Sequence, residues 1–139
     1  MRLLSLVWLF SVACGWAAEQ AAPPPAGLPA EANMGGSRSD VTVQQFIEAH
    51  PSGLTVLDVR TPGEFASGHV PGAVPVPLDQ LGPAHPAVVG LDKSKPVYVI
   101  CEVGGRSSRA ADMLAAAGYT TINVQGGTAA WIQAGQAVE

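Results

Sequence analysis

From residue 40 onward, short runs of apolar residues alternate with stretches in which apolar positions fall three or four apart. Leu54 to Val59 (LTVLDV), Val97 to Ile100 (VYVI) and Thr121 to Val124 (TINV) are β-branched and largely apolar. That composition predicts strands covered on both faces. Ser107 to Ala117 (SSRAADMLAAA) instead places Ala110, Ala111, Leu114 and Ala117 on one face of a helix, which Gly118 stops. Polar residues punctuate the pattern. Thr42 and Gln45 form a capping box with Val41 and Phe46 at the staple positions, predicting a helix to Ala49 that Pro51 and Gly53 end. Thr61, Pro62 and Glu64 repeat the start signal for a brief helix ending at Gly68. Ala73 to Val76 reads as a short strand and Leu78 to Leu81 as one helical turn, with residues 82–95 a loop holding one further turn. Gly126-Gly127 turns the chain, and Thr128 caps a last helix carrying Trp131 and Ile132. Strands and helices alternating at this spacing need crossover connections. The expected fold class is therefore α/β: a mainly parallel central sheet flanked by helices on both faces.

Before residue 40 the pattern changes. Met1-Arg2, an apolar run from Leu3 to Ala13, and Cys14-Gly15-Trp16-Ala17-Ala18 have the layout of a secretory signal peptide, with cleavage after Ala17. A second reading takes Ser11 to Cys14 as a lipoprotein box with Cys14 lipidated; Ser11 is a poor match for the bulky aliphatic residue expected there. Residues 18–39 are rich in Ala, Pro, Gly and Ser without any period, and read as a tether. The organisation expected is a signal peptide over 1–17, a linker over 18–39 and one folded domain over 40–137. The expected location is periplasmic or secreted.

Composition narrows the function. Of 139 residues, 47% are hydrophobic, which excludes a disordered acidic chain. No stretch reaches the roughly 20 apolar residues a transmembrane helix needs. A net charge of −4 without a basic run argues against nucleic acid as a partner. Three scattered histidines and one thiol in the domain have no metal-ligand spacing, so neither metal nor cofactor is expected. Removal or lipidation of Cys14 leaves Cys101 without a partner, hence inert and buried or reactive. Cys101 closes a strand and opens the loop Glu102-Val103-Gly104-Gly105-Arg106, with Ser107 at the start of a helix. Ligands of open α/β sheets bind at this end of the strands. Adjacent glycines let backbone N–H groups turn inward, the helix start adds donors, and Arg106 adds a fixed cation. Each favours a thiolate, the nucleophilic form.

Asp58-Val59-Arg60, Glu64-Phe65, the string Gly68-His69-Val70-Pro71-Gly72-Ala73, Cys101 to Ser107, and Gly126-Gly127 with Trp131 together resemble a single-domain rhodanese over roughly residues 40–135. The resemblance implies a rhodanese-like three-layer fold and a sulfurtransferase of the exported type. By that resemblance Cys101 takes sulfane sulfur from thiosulfate or a persulfide donor and passes it to a thiol or cyanide. Glu102, Val103, Gly104, Gly105, Arg106 and Ser107 form the substrate cradle, Asp58 and Arg60 support it, and the protein acts as a monomer. The alternative function is a rhodanese-fold module that docks to a partner protein or delivers sulfur without turnover. Phosphatases and arsenate reductases of related chemistry have five residues between Cys and Arg; here four intervene, which suits one sulfur atom better than a tetrahedral oxyanion. Glu102 departs from the cationic or neutral residues common in thiosulfate-using members, and a carboxylate at the mouth opposes a dianion. Asp58 and Arg60 orient the loop or form a structural ion pair. His69 reads as a hydrogen-bonded turn residue, Trp131 as core and Arg109 as solvent-facing; His50 and His85 are assigned no role.

Overall fold

The computed structural model describes residues 36–139. The expected signal peptide, the linker up to residue 35 and Cys14 lie outside the described residues. The elements run β1 (Arg38–Thr42), α1 (Val43–Ala49), a 3-10 turn (His50–Ser52), β2 (Thr55–Asp58), α2 (Pro62–Ala66), β3 (Val74–Pro75), α3 (Pro86–Val89), β4 (Val97–Ile100), α4 (Gly105–Ala116), β5 (Thr121–Gln125) and α5 (Gly127–Gln133). Five parallel strands form one sheet in the order β1-β5-β4-β2-β3.

Side chains of β4 divide between the two faces, as a period of two requires. Val97, Val99 and Cys101 join Leu57, Val59, Ala110, Ala111 and Leu114 in the core beneath α4. Tyr98 and Ile100 join Val56, Phe46, Ile122, Val124 and Trp131 in a second core on the opposite face, against α1 and α5. Leu57 and Ile100 are fully buried, and truncating either to Ala costs about 2–5 kcal/mol. Because β4 is central and parallel, its C-terminal tip is held by neighbours on both sides, and Cys101 inherits that rigidity.

Both capping boxes form: Thr42 with Gln45 at α1, and Thr61 with Glu64 at α2. Three boundaries differ from the sequence expectation. β1 begins at Arg38, inside the stretch read as linker, and pairs in register with β5 from Arg38 opposite Thr121 to Thr42 opposite Gln125. As a polar edge strand (RSDVT) it carries no apolar run to announce it. α4 begins at Gly105 rather than Ser107, because Gly104 turns the backbone at φ 108° and the helix starts directly after it. Thr128 does not cap α5: Gly126 does, at φ 87°, and the buried Thr128 hydroxyl has no hydrogen-bond partner.

Candidate active site

The β4–α4 connection curls around the Cys101 sulfur. The Gly104 N–H donates to Sγ at 3.1 Å, and the Ser107 hydroxyl lies 3.3 Å away. Backbone N–H groups of Val103 and Ser107 act on the same atom. Burial pushes the thiol up, since Cys101 is only 1% exposed, but these donors outweigh it and the net shift is below an ordinary cysteine.

The inward direction of those donors is fixed from behind. The first turn of α5 donates from Thr128 to the Cys101 carbonyl at 2.8 Å and from Ala129 to the Glu102 carbonyl at 3.0 Å. With the loop carbonyls held outward, the N–H groups between them face the sulfur. This needs α5 to approach closely. Gly127, at φ 60°, sits so near the Cys101 and Glu102 carbonyl oxygens that a Cβ there would collide with them. The Gly-Gly pair, expected only to turn the chain, is therefore part of the loop's support.

Asp58 and Arg60 form a buried ion pair, with Arg60 Nη2 to Asp58 Oδ2 at 2.8 Å and Nε to both carboxylate oxygens at 3.0 Å. Burial opposes the Arg60 charge, but Asp58 and Glu102 more than offset it and hold the guanidinium protonated. Its remaining reach goes to the Gly68 carbonyl at 2.9 Å and to Glu102 Oε2 at 3.2 Å. The pair is thus an ion pair of the fold that also touches the loop through Glu102, which shares the guanidinium with Asp58.

Arg106 sits in the first turn of α4, near enough to Cys101 to feel its charge, and its guanidinium meets Glu64 side-on, with contacts of 2.7 and 2.6 Å. The Arg106 bonds, helped by those from Thr61, hold the Glu64 carboxyl far below the usual carboxylate range. Gly105 is likewise the first residue of the helix rather than part of an open loop. Arg109 stays exposed and lines, with Arg106, Leu78 and Met113, a groove of about 530 Å³.

Asn123 and Glu64 escape the sequence reading as site neighbours. Asn123 of β5 faces α4 and bonds to Ser107 at 2.7 Å. Its signal was a polar residue between Ile122 and Val124 in an apolar strand. Glu64 was legible only as a cap. Among the histidines, His69 stacks on Phe65 at 3.6 Å with Nδ1 beside the Phe65 carbonyl, the turn role expected. His50 lies against Phe46 and Trp131, and His85 caps α3. Trp131 is 3% exposed, in the core. Among the described residues no three His, Cys, Asp or Glu are grouped to hold a metal ion, and no helix is long and apolar enough to cross a membrane.

Known proteins resemble this chain in sequence and fold. The chain is 36% identical over 93 residues to the putative sulfurtransferase YtwF of Bacillus subtilis, covering 67% of this chain and 86% of the relative. It is 35% identical over 71 residues to the thiosulfate sulfurtransferase PspE of Escherichia coli, covering 51% and 67%. The match to the uncharacterized YqhL of Bacillus subtilis, 42% identical over 77 residues, covers 55% of this chain and spans 59% of that protein's length. A rhodanese-related protein from Thermoplasma volcanium superposes with a TM-score of 0.64 at 29% identity, covering 73% of this chain and 97% of its own. Residues 42–134 match the rhodanese-like domain, and the chain belongs to that family.

Proposed function

We propose that this chain is a sulfurtransferase in which Cys101 carries sulfane sulfur as a persulfide. The carrying observation is the Gly104 N–H turned onto the buried Cys101 sulfur at 3.1 Å, with the Ser107 hydroxyl within reach at 3.3 Å. The Cys101 thiolate attacks the outer sulfur of thiosulfate; the S–S bond breaks and its electron pair leaves on sulfite. The enzyme then holds Cys–S–S⁻, an anion the same donors stabilise. An acceptor thiolate or cyanide attacks the outer sulfur, and the pair returns to Sγ as thiolate. A small-molecule or protein persulfide serves as donor in the same way. Arg60 draws the Glu102 carboxylate to one side, but it shares its charge with Asp58 and offsets that carboxylate only in part, which leaves a persulfide the easier donor than dianionic thiosulfate.

Thiocyanate formation from thiosulfate and cyanide, with mass analysis of the Cys101 peptide, tests this reading. Turnover and a gain of about 32 Da on Cys101 are expected, the mass of one sulfur atom. Cys101→Ser should abolish both. A serine variant as active as the parent would falsify the assignment, and a loaded but non-turning-over protein would favour the delivery module. We further propose that residues 1–17 direct export to the periplasm or beyond. A mature N-terminus at Ala18 supports this; an intact Met1 on cytoplasmic protein contradicts it.

A further inference from the structure

Ser107 has one hydroxyl proton and three acceptors within reach of it. Its Oγ is 2.7 Å from Asn123 Oδ1 and 3.3 Å from Cys101 Sγ. A third oxygen, the Gly104 carbonyl, lies at 3.1 Å. The orientation of the Asn123 amide decides the competition. Its Nδ2 donates to Asp40 Oδ1 at 2.7 Å, and a carboxylate can only accept, so the amide oxygen must face Ser107. Arg38 Nη2, at 3.0 Å from the same Asp40 oxygen, fixes that carboxylate in turn. A chain of aligned bonds therefore runs from the sulfur through Ser107 and Asn123 to Asp40. In the thiol form, S–H donates to Ser107 Oγ and the hydroxyl donates to Asn123. A thiolate or persulfide needs the hydroxyl turned the other way, which breaks the shorter bond.

We infer that Asn123, oriented by Asp40, is a positioning residue that competes with Cys101 for the Ser107 proton and so limits how far that hydroxyl stabilises the thiolate. It rests on Cys101 being the working sulfur, but it concerns only protonation and needs no sulfur transfer to be tested. The other charged groups around the sulfur have partners of their own: Glu102 shares Arg60 with Asp58, and Arg106 faces Glu64. At the far end, Arg38 also contacts Asp112 of α4 at 2.9 Å. The backbone donors of the loop are untouched by this chain, so they supply the thiolate's standing stabilisation and Ser107 the adjustable part.

The test is the pH dependence of iodoacetamide alkylation at Cys101, read peptide by peptide in the full chain. Asn123→Leu removes the nearest competing acceptor at nearly constant volume and leaves the longer-range Gly104 carbonyl in place. Asp40→Ala, at a half-exposed position on the edge strand β1, lets the amide turn round and donate to Ser107. Both should lower the alkylation midpoint by about 0.5–1 pH unit, the scale of one redirected hydrogen bond to an anion. Neither should do so in a Ser107→Ala background, where nothing is left to redirect. Should Asn123→Leu fail to fold, Asp40→Ala decides alone. An unchanged or raised midpoint in Asp40→Ala, or a fall that persists without the Ser107 hydroxyl, overturns the inference. Absence of thiocyanate formation by the parent chain, with the expected midpoint shifts present in the variants, would instead count against the sulfurtransferase reading alone.

Discussion

Glu64 serves two helices at once. One carboxylate accepts from the Thr61 backbone and hydroxyl at 3.0 and 2.8 Å, closing the cap of α2, while facing Arg106 on α4. The guanidinium at the loop's end is thereby spent on a neighbour and is not free for an incoming anion. Glu64→Gln keeps the capping geometry and releases Arg106. Both partners are about one-third exposed, so the stability change should stay below about 1 kcal/mol. The KM for thiosulfate should fall a few-fold with kcat little altered, in steady-state thiocyanate assays; a KM that holds or rises contradicts this. At this scale the sequence revealed Cys101, its glycines and Ser107, because strand end, loop and helix start are local signals. Partners brought in by tertiary contact were not legible. Arg60 to Glu102 and Glu64 to Arg106 each join residues 42 positions apart, and no spacing rule connects them.

The helices earn their place at the site through their first turns. Gly104, the cap of α4, points its N–H at the sulfur, and α5 points its own opening N–H groups at the carbonyls behind. Gly127 is where the second arrangement is most exposed to disruption. Gly127→Ala places a methyl against two carbonyl oxygens and strains a positive φ, so the loop must move. Stability should drop by about 1–3 kcal/mol, the scale of a residue forced into a disfavoured backbone region. Cys101 alkylation should slow more than the stability loss alone accounts for, and an alanine variant alkylated at the parental rate would show that α5 does not shape the cradle. Strands β2, β4 and β5 were visible as apolar runs, and the caps of α1 and α2 as spaced polar residues. β1 was not, since a half-exposed edge strand has polar residues at most positions. The starts of α4 and α5 were placed late because a left-handed glycine begins each helix without any side-chain cap.

For the molecule as a whole, the shifted thiol links chemistry to folding. Cys101 titrates lower in the folded chain than in the unfolded one, whose thiol lies near ~8.5. Below both values each state keeps its proton and the group adds nothing. Between them the native state gives up its proton first, so stability climbs with pH, and the gain is complete above the unfolded value. Urea midpoints measured from about pH 6 to about pH 9.5 should show the parent gaining on Cys101→Ser as pH rises. A constant difference would mean that the sulfur's ionisation is not coupled to the fold. The parallel sheet and the two faces of helices followed from alternation of elements. The strand order did not, because it depends on which strand reaches which neighbour after the crossovers.

Cys101 belongs to the same buried cluster as Val99, Ala110 and Leu114. Its side chain is packed on the fold side and hydrogen-bonded on the loop side, so bulk added to the sulfur has to be taken up on the loop side. In the proposed persulfide a single sulfur atom extends that way. A sulfinate, with two oxygens branching from the same atom, has to push one of them into hydrocarbon or into the loop. Peroxide damage at this residue should therefore loosen the protein as well as silence it.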